Sequence, residues 1–135
     1  MTVEQAREVL EQYGSASVEL DTLMVHIKTN KRRMMILEKM TDPSEEERAQ
    51  AQAEVKRLCR DALREVRKVA RINREIMAAL RRMPTPKYRE VLMLWYVEQL
   101  NREEVAERMH YDVSSVYRIH RAALEEFSRQ KVALF

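Results

Sequence analysis

Apolar residues recur at steps of three and four along most of this chain, a period that predicts helices. The first helix spans Thr2 to about Tyr13, with Val3, Ala6, Val9 and Leu10 on one face. Gly14 and Ser15 are expected to interrupt it. A second helix runs from about Ser17 to Met40, with Leu20, Leu23, Ile27, Met34 and Leu37 on its apolar face and Asn30 in the gap of that series. Thr41-Asp42-Pro43-Ser44 then makes a turn and a helix start. Proline is preorganised for a first helical turn, and Glu45, Glu46 and Glu47 suit the positive end of the helix dipole. The third helix runs from about Pro43 to Arg82. Its seam is Val55, Cys59, Ala62, Val66, Val69, Asn73, Ile76, Leu80 and Met83, in unbroken steps of four and three. That is coiled-coil spacing.

At 1.5 Å per residue the third helix is about 60 Å long and the first two together about 55 Å. The lengths predict an antiparallel coiled-coil hairpin. One register pairs Asn30 with Asn73, Ile27 with Ile76 and Leu23 with Leu80, but it leaves residues 42–61 as a loop, although much of that stretch has helical character. Long structureless loops are uncommon, so a tight hairpin is preferred. Asn30 and Asn73 are then unassigned, or one or both pair with their own copies across a dimer, as single polar seam residues do when they set register.

Met83-Pro84-Thr85-Pro86 ends the long helix, because proline removes a backbone donor and restricts the residue before it. The expected division is 1–83, a helical arm, and 84–135, a head. Within the head, Thr85 or Pro86 opens a helix with Tyr88, Val91, Leu92, Leu94, Trp95 and Tyr96 on a wide apolar face. Asn101 with Glu104 three residues on has the pattern of a capping box. Val105, Ala106 and Met109 point inward on that short helix. His110-Tyr111-Asp112 is the turn, and Asp112 caps the last helix. That helix runs from about Val113 to Lys131 with Val116, Ile119, Ala123, Leu124 and Phe127 as its buried stripe. The head therefore reads as three helices containing a helix-turn-helix.

The opposite side of the last helix has the chemistry of a DNA-reading surface. Val113 opens it, and Ser114, Ser115, Tyr117, Arg118 and Arg121 face outward. Arginine can bond guanine edges or phosphates, and serine and tyrosine can reach phosphate or bases. His120 lies nearby as a further candidate. Charge modifies this picture. From Lys56 to Arg82 there are ten basic and three acidic residues, a local net of +7, whereas residues 84–135 carry eight of each sign. A neutral head gains little from phosphate attraction alone. Supplementary phosphate contacts are expected from Arg102 and from Arg60, Arg64, Arg67, Arg71 and Arg74. The last five fit the solvated flank of a coiled coil better than they fit phosphate contacts. Lys31-Arg32-Arg33 reads as a surface patch.

Composition narrows the class further. The chain has 135 residues with one glycine and three prolines, and good helix formers dominate, so an all-α fold is expected. The lone cysteine, Cys59, excludes an internal disulfide and suggests a reducing, cytoplasmic setting. No apolar run is long enough for a membrane span and no signal-peptide layout is present, so no membrane contact is expected. The nine methionines read as core filler or adaptable surface. His26, His110 and His120 lack metal-ligand spacing, and neither a metal nor a cofactor is expected. Glu103, Glu104 and Glu107 share one short helix with no histidine or phosphate loop beside them, which is a solvated face. With no nucleophile-and-base set, the chain does not read as an enzyme.

The stretch REVLMLWYVEQLNREEVAERMHYDVSSVYRIHRAALEEF resembles sigma factor region 4. The match rests on Glu90-Val91-Leu92, Tyr96, Leu100, Glu104-Val105-Ala106, Ser115-Val116, Arg118 and Ala123-Leu124. Where that family commonly has glycine in the turn, this chain has His110. Nothing upstream resembles the sigma region that melts promoter DNA, so the chain does not look like a complete sigma factor. The layout as a whole is similar to small phage-encoded region 4-like regulators related to RinA and ArpU, found in phages and prophages of Firmicutes. The resemblance implies control of late phage genes in a bacterial host cell, with double-stranded DNA as partner, RNA polymerase as a second candidate, and a homodimer formed through the N-terminal helices. The competing expectation is a helical assembly or adaptor protein, a small packaging subunit or a polymerase- or sigma-binding adaptor, whose interface is the long helix.

Overall fold

The computed structural model describes residues 1–40 and 44–132, and every regular element among them is helical. The elements are α1 (Val3–Lys39), α2 (Glu45–Arg81), α3 (Pro86–Leu92, continued by a wide turn at Met93–Val97), α4 (Arg102–Met109) and α5 (Val113–Phe127). The all-α expectation, with long N-terminal helices packed together ahead of a helix-turn-helix, holds.

The two expected N-terminal helices are a single one. Gly14 does not break α1, because the loss of about 1 kcal/mol for a glycine is small within a 37-residue helix that packs along its length. The Gln99 side chain lies close by: a Cβ built on Gly14 would sit 2.5 Å from its Nε2, which a shift of that exposed amide would relieve. The start expected at Pro43 falls outside the described residues. The first observed cap of α2 is Ser44, whose Oγ accepts from the Glu47 N–H at 3.2 Å.

The periodic seams are observed. Every seam position of α2 from Val55 to Met83 is buried or half-buried, as are Leu20, Leu23, Ile27, Asn30, Met34 and Leu37 of α1. Ala6 and Leu10 share a core with Ile76, Ala79, Leu80 and Met83, so the start of α1 lies against the end of α2. This is the tight antiparallel register. Asn73 keeps a buried Oδ1 with no hydrogen-bond partner.

By contacts the chain forms two compact units. One is Val18–Ala70, built from the rest of α1 and α2. The other joins Met1–Ser17 to the chain from Arg71 onward. The contacts thus divide elsewhere than at Met83-Pro84, because Ile76, Leu80 and Met83 are each no more than 1% exposed within the core of the head. Several bonds fix this unit. Arg82 donates from Nη2 to the Lys131 carbonyl at 2.7 Å. The Met1 amino group donates to the Ser128 carbonyl at 3.3 Å. Glu126, almost fully buried, accepts from the Thr85 N–H at 3.0 Å and from its hydroxyl at 2.6 Å. The end of α5 is so tied to the start of α3.

Candidate nucleic-acid interface

The local chemistry of the turn decides where α5 points. Asn101 and Glu104 form the reciprocal capping box of α4, with bonds of 2.9 and 3.2 Å. At its other end α4 closes on His110, which takes the left-handed conformation at φ 60 and ψ 40. The Tyr111 N–H then reaches back to the Ala106 carbonyl at 3.0 Å, the bond pattern of a left-handed helix end. His110 therefore does the work of glycine and pays the steric cost of a Cβ there. Asp112 caps α5 by accepting from the Ser115 N–H at 2.7 Å. That bond, followed by the Ser115 and Ser114 side chains, holds the Asp112 carboxyl below the usual carboxylate range.

Two helical faces of α5 follow. Val116, Ala123, Leu124 and Phe127 are fully buried. His120, at 7% exposed, and Glu126 are also buried, and Ile119 is only half-buried. Hydrophobicity alone puts Ile119 inward; tertiary partners reverse the order. The His120 ring stacks on Trp95 with centroids 3.9 Å apart and planes 12° from parallel. Its Nε2 lies 2.8 Å from the Tyr96 hydroxyl. Burial of a polar ring is tolerated when its nitrogen finds a partner. Burial, assisted by the nearby Arg7 cation, pushes the imidazole pKa down to about 4, so His120 is neutral near pH 7. Burial likewise pushes the Tyr96 phenol up to about 12. His120 accordingly leaves the set of DNA-contacting candidates and becomes a core residue. The wide turn at Met93–Val97, closed by the Glu98 N–H on the Met93 carbonyl at 3.0 Å, presents Trp95 and Tyr96 to it.

The outward face keeps Ser114, Tyr117, Arg118 and Arg121, all exposed, with Ser115 half-buried. Val113 is half-buried against the core. Ser114 donates to Asp112 at 3.0 Å, and Arg118 Nη2 donates to the Ser115 hydroxyl at 3.1 Å. Both bonds are solvent-exposed and can be exchanged for bonds to a ligand. Arg102, the first residue of α4, lies over the Tyr117 ring at 5.1 Å, and Trp95 meets the same ring edge-on at 6.3 Å. On the other flank, Ser115 and Arg118 line an open groove with Lys87, Tyr88 and Tyr111. Lys87 has no signal in the spacing of the chain, and packing of α3 against α5 brings it there, whereas Tyr111 comes from the turn that leads into α5. The face is thus rimmed by a cation on either side. Of the arginine stripe, Arg71 and Arg74 belong to the same unit as this face, and Arg60, Arg64 and Arg67 to the other. All five are exposed, and Arg64 lies 3.9 Å from Asp61.

Residues 73–126 match the family model of sigma-70 region 4. The matched segment opens at Asn73, close to the Arg71 at which the compact unit resumes, and ends at Glu126, the residue that ties α5 to α3. The region 4-like head therefore takes in the end of α2, which lies outside the three helices expected to form it. The match supports a region 4-like helix-turn-helix in this segment and suggests a DNA-binding, regulatory role for it. No curated protein and no solved structure matches the chain. Among the described residues no group of histidine, cysteine, aspartate and glutamate is placed to hold a metal, and no helix is long and apolar enough to cross a membrane.

Proposed function

We propose that this protein regulates transcription by reading duplex DNA with the exposed face of α5. The observation that carries the proposal is the composition of that face. Ser114, Tyr117, Arg118 and Arg121 form one outward stripe, with Arg102 and Lys87 at its edges and no acidic residue from Val113 to Leu124. A helix of this kind fits the major groove, its arginines bonding guanine edges and its flanking cations holding phosphates. Arg102 follows the cap of α4, where helix N-termini commonly meet phosphate. Arg71 and Arg74, in the same compact unit as α5, supply further phosphate attraction. Late phage genes are the target class that the resemblance to RinA- and ArpU-related regulators suggests, in a bacterial cytoplasm.

A head of zero net charge needs help in affinity. A homodimer through the N-terminal helices would present two heads to two half-sites. Exposed Val18 and Val25 on α1 and Leu58 and Leu63 on α2 support such a contact. The same exposed residues favour a second reading, a helical assembly or adaptor protein that uses α1 and α2 as its interface, with RNA polymerase as one such partner. Gel shift at low salt separates the two. Sequence-selective binding that weakens with Arg118→Ala supports the regulator; absence of DNA binding together with capture of a defined protein partner supports the adaptor.

A further inference from the structure

One face of α1, in the unit Val18–Ala70, is used by neither the core nor the head. Lys28, Lys31, Arg32, Met35, Ile36 and Lys39 line a single groove, and their alternating spacing of three and one puts them along one side of the helix. Met35 and Ile36 are 59% and 54% exposed. From Lys28 to Lys39 the chain has five basic residues and one acidic, a net of +4. Among the described residues no salt bridge reaches Lys28, Lys31, Arg32 or Lys39.

Two classes of occupant fit this surface poorly. A nucleic-acid backbone would satisfy the four cations and leave the two large apolar side chains in water. A second copy docked face to face would set +4 against +4, a repulsion that specific interfaces avoid. What remains is a surface complementary in both properties: apolar at its centre and negative at its edges.

We propose that this groove docks an acidic amphipathic helix of a different protein. Its apolar residues, three or four apart, would cover Met35 and Ile36. Its carboxylates would face Lys28, Lys31, Arg32 and Lys39. The stretch from Lys28 to Lys39 is about 16 Å long, which matches about three turns of a partner helix laid along it. The inference stands apart from the reading of α5, and either can fail alone.

The test uses the full-length chain and labelled helical peptides of about four turns. One peptide carries leucine at positions i, i+3, i+4 and i+7 with glutamate on both flanks. A second has glutamine for every glutamate, and a third has serine for every leucine. In fluorescence anisotropy the first binds saturably, and the other two bind about tenfold or more weakly. The paired variants Lys31→Glu with Arg32→Glu, and Met35→Ser with Ile36→Ser, each cost about tenfold or more while circular dichroism stays unchanged. The proposal is overturned by no saturable binding of the first peptide, by equal binding of the serine peptide, or by unchanged affinity in either variant. It is also overturned if random-sequence duplex DNA displaces the peptide from the wild type, or if light scattering shows a dimer that Met35→Ser with Ile36→Ser dissociates.

Discussion

Tyr96 and His120 meet across two helices with 2.8 Å between the phenol oxygen and Nε2. The pair fixes the rotation of α5 about its axis. With His120 turned inward, Tyr117 and Arg121 turn outward, so the buried hydrogen bond helps set the register of the exposed stripe. Arg7 of α1 is near enough to the pair for its charge to lower the pKa of both groups.

This pair predicts a specific acid sensitivity. The His120 imidazole is held at about 4, below its ordinary 6.5. The unfolded chain therefore binds a proton that the folded chain refuses, and stability falls as pH drops from about 6.5 toward 4. The loss from this group is on the order of 2–3 kcal/mol. Denaturant titrations at pH 7, 5.5 and 4.5 should show it. His120→Phe keeps a ring against Trp95 without a proton site, and so should lose less over the same interval. Asp112, with its carboxyl already low, titrates below this window. At the other extreme Tyr96, raised to about 12, adds a loss only as pH climbs through 10.

Leu10 is completely buried, in one core with Leu80, Val91 and Phe127. Leu10→Ala should therefore destabilise the head by about 2–4 kcal/mol, although it lies far from the helix-turn-helix in sequence. Thermal unfolding followed at Trp95 fluorescence reads the effect. An unchanged transition would show that Met1–Ser17 is dispensable to the head.

His110 holds a left-handed conformation that costs a residue with a Cβ about 1 kcal/mol. His110→Gly should raise the urea midpoint by roughly that energy, less the extra freedom glycine brings to the unfolded chain. DNA affinity should stay as it is, because the turn geometry is the same.

These residues also show which parts of the fold the chain reveals by itself. Caps are local, so Asn101, Glu104 and Asp112 are readable from spacing and all form the expected bonds. Seams are periodic, so the apolar series of both long helices is readable too. Relations between distant segments are not. Gly14 reads as a break, yet α1 runs through it without interruption. Ile119 outranks His120 as a core residue until Trp95 and Tyr96 supply a stack and a bond. Met83-Pro84 does end a helix, but the contacts of Leu80 and Met83 carry the core across it. In the candidate interface, Ser114, Tyr117, Arg118 and Arg121 are legible because they share one face of α5; Lys87 joins only through packing.

The central claim is that the outward face of α5 reads DNA. Selection of bound duplex fragments from genomic DNA, with wild type and Arg118→Ala in parallel, tests it most directly. The expected result is enrichment of a common sequence by the wild type. In Arg118→Ala one position of that sequence should relax, at a loss of about 1–3 kcal/mol for a guanine contact, with helix content preserved. No enrichment at low salt, or the same sequence bound equally well by the Arg118→Ala and Arg121→Ala double variant, would contradict the claim.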